Sequence, residues 1–367
     1  MNIIVSFVSF KDIFSPKFLD KILSLILVII LILFAGLRFK VGGDWGSYAL
    51  IYDEISRRNF TSFIYNFDSL FYTLNYVVSL VGLKHGFILV NLIASTFVFI
   101  CFYRFIFANH LNLTSFLIFF PYVIMIIMGF TRQSIVLGFF FLILSLNLDK
   151  SKISTVFLAI ISGFFHFSGY LLSFVVFNNF NKKQNNFYSF LMILLIIIIV
   201  ILFIYLNLDK IIHKFYFFQN NFNNISSLIR NFPILLSCFL FINFRQYFKN
   251  VTKNYNFYLK LSIFGIILYF STFLFNTISD RLLIYLIPLA ILVFSKLLNY
   301  FSSNYFKFIY LFSLNIFFAC FLFGWLIVGN SGNSWIPYDV LLEPQNQFFN
   351  SLIKDLPRFE FTYEKNQ

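Results

Sequence analysis

The chain has 367 residues, 60% of them hydrophobic and only 11% charged, with a mean hydropathy of +0.85. These values lie far outside the range of a soluble globular domain and point to an integral membrane protein. The net charge of +13 requires no nucleic-acid partner, because lysines and arginines collect in the cytoplasmic loops of such proteins, where some meet anionic lipid.

Crossing about 30 Å of hydrocarbon takes roughly 20 mostly apolar residues in helical form. In chain order such runs lie near 18–37, 86–107, 113–130, 133–148, 187–208, 228–244, 257–278, 281–298 and 306–328. Barrel strands would read as short alternating segments, so the runs favour helices. Two stretches fit less simply. Residues 66–83 mix polar and aromatic side chains and suit the membrane interface. Residues 153–177 could cross once but carry "GFFHFSG" at their middle. The expected fold is all-α, a polytopic transmembrane bundle of about 10 spanning helices with added re-entrant or interfacial segments. Residues 1–329 would form one transmembrane domain and residues 330–367 a short polar tail.

Charge orients these pieces. Lys11, Lys17 and Lys21 place the N-terminus in the cytoplasm, and their own basic residues place "FRQYFKNVTK" (244–253) and "SKLLNYFSSNYFK" (295–307) there by the same rule. The stretch after residue 37, "SDR" (279–281) and everything beyond Val328 then fall outside. With 66–83 lying flat on the outer face, "GFTRQ" (129–133) is outside and "DKSK" (149–152) inside. For "NKK" (181–183) to be inside as well, 153–177 must enter and return, broken around His166. Such backbone is tolerated only where protein or a water-filled cavity surrounds it.

Ionisable groups in or near a bilayer cost about 2.5–3.5 kcal/mol at a helix centre on the insertion scale, which makes them functional candidates. Five clusters stand out: Arg38 with Asp44 and Tyr48; Arg132 with Gln133; His166 with Ser168; Asp280 with Arg281 and Tyr285; and "NSWIPYDV" (333–340). On this topology all five meet the outer face. Each also has a plainer reading. Arg38 and Lys40 could anchor a helix end, and Asp280 and Arg281 could be a local ion pair opening a helix. His166 could be a core histidine, and Trp335 and Tyr338 belt aromatics.

What is missing narrows the chemistry. There is no phosphate-cradling GxxxxGKS/T loop, no GxSxG, no HExxH and no DxD triplet. The four histidines are scattered and the three cysteines show no CxxC spacing, so neither a metal nor another cofactor is expected. An arginine-rich site remains. The guanidinium fork suits phosphate oxygens, and three arginines at one face suggest a diphosphate head group stabilised without a metal.

At these residues the sequence resembles the EpsG-like, Wzy-type bacterial polysaccharide polymerases. The similarity is carried by "RFKVGGDWGSY" (38–48), "FTRQSIVLG" (130–138), "FHFSGYL" (165–171), "DRLLIYLIP" (280–288) and "WIPYDV" (335–340). It covers most of the chain in order, with departures at Gly43, Asp68-Ser69 and Val136. The resemblance implies a GT-C-like membrane glycosyltransferase of the bacterial cytoplasmic (inner) membrane, its active site facing the periplasm or outside. It would join O-antigen, capsule or exopolysaccharide repeat units carried on undecaprenyl diphosphate. The lipid-linked glycan and membrane lipid would be its partners, with a chain-length regulator protein as a further one. Arg132 and Arg281, with Arg38, would bind the diphosphate; Asp44 or His166 would act as base. Tyr48, Tyr285, Trp335 and Tyr338 would contact sugars, and Gly42, Gln133, Ser168 and Asp280 complete the binding set. A lipid-linked oligosaccharide flippase or an O-antigen ligase would need the same arginines.

Overall fold

The computed structural model describes residues 17–57, 68–83, 85–146, 152–171, 224–328 and 339–340. Helix α1 (Lys17–Gly36) opens the bundle and is followed by the two-residue strand β1 (Arg38–Phe39). Then come α2 (Trp45–Arg57), α3 (Ser69–Ser79), α4 (Phe87–Ala108), α5 (Thr114–Tyr122), α6 (Thr131–Ser145) and α7 (Lys152–Phe165). The second half holds α8 (Asn224–Asn243), α9 (Arg245–Val251), α10 (Tyr255–Ser271), α11 (Asn276–Leu283), α12 (Ile287–Leu297) and α13 (Asn304–Val328). Strand β2 (Asp339–Val340) pairs antiparallel with β1, Arg38 opposite Val340 and Phe39 opposite Asp339.

Among the described residues, three helical stretches are long and apolar enough to cross a membrane: Phe87–Ala108, Ile278–Tyr300 and Asn304–Ile327. Burial separates their roles. The central stretch Ile278–Tyr300 is 89% buried, whereas Asn304–Ile327 is 33% buried and turns most of its surface outward. Helix α1 shows the same division on a single rod. Ile22, Leu25, Ile26, Ile29, Ile30 and Leu33 are exposed along one stripe, and Leu27, Val28, Leu31 and Ala35 are buried along the other. An apolar stripe this long on the outside is stable only against lipid.

Several expected boundaries moved. "SDR" (279–281) is helical, within α11, and the turn lies earlier, at 272–275, where Phe273, Leu274 and Phe275 are exposed. The basic stretch 244–253 is largely helix α9, bent 88° from α8. Phe248 is buried and stacks on Phe241 at 4.7 Å, while Arg245 and Lys249 are exposed, the pattern of a helix lying in the interface. The run 113–130 holds Pro121 and widens into a π-helical turn at Val123–Ile127. A proline that cannot donate disturbs the ladder, and a π turn is one way to absorb the mismatch. The expected span 187–208 lies outside the described residues.

Two apolar clusters hold the bundle. The larger joins α1, α4, α5, α6, α8, α10, α12 and α13. The smaller lies under the early loop, where Tyr48 and Tyr52 of α2 and Phe71 and Val78 of α3 pack on Phe87, Val90 and Ala94 of α4 and on Ile135 and Phe139 of α6. It fixes α2 and α3 over the N-terminal end of α6, which is where the polar residues gather.

Candidate functional site

The loop 40–44 turns through residues that a regular strand or helix would not accept. Lys40 and Gly42 both have positive φ, 54° and 109°, and only glycine occupies the second conformation without strain. The turn delivers Asp44, half-buried, to the start of α2, where its backbone carbonyl accepts from Tyr48 at 3.1 Å. Burial pushes the Asp44 carboxyl above the ordinary carboxylate range, and Arg281, Arg132 and Arg230 pull against that rise.

Arg38 sits beneath this loop and is only 1% exposed. Its Nη1 donates to the carbonyls of Ala35 (3.0 Å) and Ile127 (3.3 Å), and its Nη2 donates to Asn91 Oδ1 (3.2 Å) and Thr131 Oγ1 (2.9 Å). The Ile127 acceptor comes from the π turn, Asn91 from α4 and Thr131 from the first turn of α6. Expected as a diphosphate ligand, Arg38 is instead enclosed by protein acceptors and ties four segments together.

Arg132, one residue further along α6, forms an ion pair with Asp68 at the start of α3. Its guanidinium lies 5.3 Å from the Tyr48 ring centroid and 5.8 Å from that of Phe71. Asp280 departs from its expected pairing. It binds Arg230 of α8 in a two-point ion pair and accepts from Asn231 Nδ2 at 2.7 Å, leaving Arg281 without it. The reason is helical: neighbours in α11 point about 100° apart and cannot face one another.

Arg281 turns to Gln133. Its Nη1 donates to Gln133 Oε1 at 2.7 Å, and Gln133 Nε2 donates back to the Arg281 carbonyl at 3.2 Å. The guanidinium also stacks 4.0 Å above Phe130, whose ring Arg230 approaches at 5.5 Å. The Tyr285 hydroxyl, close enough to Gln133 and Arg281 to feel both, bonds Ser168 Oγ, which lies 2.6 Å from His166 Nδ1. A row of polar groups therefore lies between Arg281 and His166.

His166 stands where α7 breaks, and a 3-10 turn at Phe167–Leu171 carries Ser168 back toward α6 and Tyr285. The return is tight. A Cβ on Gly169 would lie 2.5 Å from the Ser162 carbonyl carbon, so this crossing admits no side chain. The described part of 153–177 thus shows the expected break, and residues beyond 171 lie outside the described set.

Four of the five sequence clusters are brought together. Of the fifth, Asp339 and Val340 reach β1, while Trp335 and Tyr338 lie outside the described residues. Sequence reasoning missed Arg230, Asn231, Asp68 and Phe130. For Arg230 the signal was present, an arginine at the edge of the apolar run 228–244, and the same cost that selected Arg132 selects it. Among the described residues, no group of three or more His, Cys, Asp or Glu is placed to hold a metal ion.

The family model of the EpsG family matches residues 21–340, from α1 through β2. The chain belongs to the EpsG family. The matched span includes every residue of the cluster, so the arrangement above is the polar centre of an EpsG-family chain. No curated protein and no solved structure matches it.

Proposed function

We propose that this EpsG-family protein is a bacterial polysaccharide polymerase. It transfers a growing glycan from undecaprenyl diphosphate to the non-reducing end of another lipid-linked repeat unit, releasing undecaprenyl diphosphate. The observation that carries this reading is the convergence of Arg132, Arg230 and Arg281, from α6, α8 and α11, around Asp44 and the chain ending at His166. Guanidinium groups fixed by protein partners before substrate arrives stabilise charge developing on a leaving diphosphate without reorganising.

The geometry supports the following division of labour. Arg281 meets the diphosphate most directly, while Arg132, held by Asp68, and Arg230, held by Asp280, add positive potential beside it. Tyr48 and Tyr285 orient groups next to them, and Arg38 holds the loop that carries Asp44. The proton of the attacking hydroxyl goes to Asp44 or His166. On the charge-based topology this site faces outward from the cytoplasmic membrane, where lipid-linked repeats are presented.

Deleting the gene in its host and separating the surface glycan on a gel tests the reading. A polymerase deletion leaves single-repeat structures. Loss of all glycan would overturn the proposal in favour of a flippase, and free polymer lacking its final acceptor would overturn it in favour of a ligase.

A further inference from the structure

Among the described residues, three carboxylates gather at the arginines, and two of them are committed. Asp68 is paired with Arg132, and Asp280 with Arg230 and Asn231. Asp44 has no ion pair and no side-chain hydrogen bond among the described residues, although Arg281, Arg132, Arg230 and Tyr48 all act on it at longer range. Arg281 is its counterpart. Of these three arginines it alone has no carboxylate partner among the described residues, its bonds going to neutral Gln133 and its face to Phe130.

His166 is built differently. The backbone N–H of Ser168 points to His166 Nδ1 at 3.4 Å, and Ser168 Oγ lies 2.6 Å from the same atom. Both contacts fall on the same ring nitrogen, so Nδ1 is engaged within the protein by Ser168. The Tyr285 hydroxyl bonds Ser168 Oγ from the other side. The imidazole is thus tied into the 3-10 turn through Ser168, whereas the Asp44 carboxylate has no such tie among the described residues.

We infer that Asp44 is the catalytic base of the transfer and that Arg281 is the arginine that meets the departing diphosphate. This rests on the polymerase reading. The acceptor hydroxyl oxygen bonds the anomeric carbon of the donor glycan while its proton passes to an Asp44 carboxylate oxygen. The bond from that carbon to the diphosphate oxygen breaks, and its electron pair leaves with the polyprenyl diphosphate. Asp44 then returns the proton to water. Its partial burial makes it a stronger base than an exposed carboxylate.

The test uses the full chain in lipid nanodiscs with a synthetic polyprenyl-diphosphate-linked repeat unit as donor and acceptor. Polymer formation and donor binding are measured separately. No polymer from the unaltered protein would sink the polymerase reading itself, whatever Asp44 does. Given activity, Asp44→Asn is expected to slow transfer about 10²–10⁴-fold while donor binding stays within about threefold. It should also abolish the fall in rate on the acid side of the pH profile, which Asp44→Glu should keep. The shape of that profile does not depend on how much of a variant folds. Retention of more than about a tenth of the rate by Asp44→Asn, or an unchanged acid limb in whatever rate it keeps, overturns the assignment. So does a His166→Ala variant that loses the acid limb while Asp44→Asn retains it.

Discussion

Replacing Arg230 by methionine removes one half of an ion pair in which both side chains are nearly enclosed, 11% exposed for Arg230 and 7% for Asp280. Breaking such a pair from one side strands a buried charge and costs about 3–5 kcal/mol. The two halves are not equal, because each leaves a different residue behind. Arg230→Met leaves Asp280 with the 2.7 Å bond from Asn231, and a hydrogen bond to a charged group contributes about 1.5–3 kcal/mol. Asp280→Leu leaves Arg230 with the Phe130 ring at 5.5 Å, a contact worth about 0.5–2 kcal/mol. Asp280→Leu should therefore be the more damaging single change, by about 1 kcal/mol. The double variant, which leaves no charge stranded, should recover most of the loss. Reversible denaturant unfolding in mixed micelles, followed by tryptophan fluorescence, gives all three values. The reasoning is refuted if both single changes cost less than about 1 kcal/mol, or if the double variant loses the sum of the two.

Arg38→Lys keeps the charge but not the fork that reaches acceptors on four segments, so it should destabilise by about 2–4 kcal/mol, checked in the same unfolding assay. Gly42→Ala forces a side chain to φ 109° and should cost about 1–3 kcal/mol, with the loss of transfer exceeding the loss of donor binding because the loop carries Asp44. Tyr285→Phe removes the hydroxyl that bonds Ser168; transfer should fall less than about tenfold, against the larger loss expected for Asp44→Asn, in the same nanodisc assay. The raised Asp44 carboxyl fixes a sign in pH. Transfer should decline as pH falls through a value above the usual carboxylate range near 3.8, and raising the salt concentration should move that decline little, because the group is partly buried.

The helices were legible because runs of Phe, Ile and Leu have one stable arrangement in lipid, and α4, α12 and α13 lie close to where hydropathy places them. Helix α9 was not, since its seven residues bury a single aromatic, Phe248, and their charge reads as a loop. At the site, residue types were legible and partners were not. Nothing local distinguishes an arginine that faces a phosphate from one that faces four internal acceptors, and Arg38 reaches Thr131 from 93 positions away. Asp68 and Arg132 are separated by 64 positions, so their pairing exists only once α3 and α6 are packed. The plainer reading of Asp280 and Arg281 as a local ion pair does not hold for the opposite reason: they are adjacent in sequence but not in space.

The bend between α8 and α9 bears on how the protein sits in membranes of different thickness. Helix α8 has 20 residues, about 30 Å of rise, with Arg230 near its first turns and the interfacial α9 turned 88° at its far end. With α9 resting flat on one surface, α8 is a strut of fixed length whose foot cannot sink. A thinner bilayer is then met by leaning the strut, since sliding it would drag Arg245 and Lys249 out of the headgroup layer. The Arg230–Asp280 pair, near the first turns of α8, thus stands most of a helix length from the basic residues of α9.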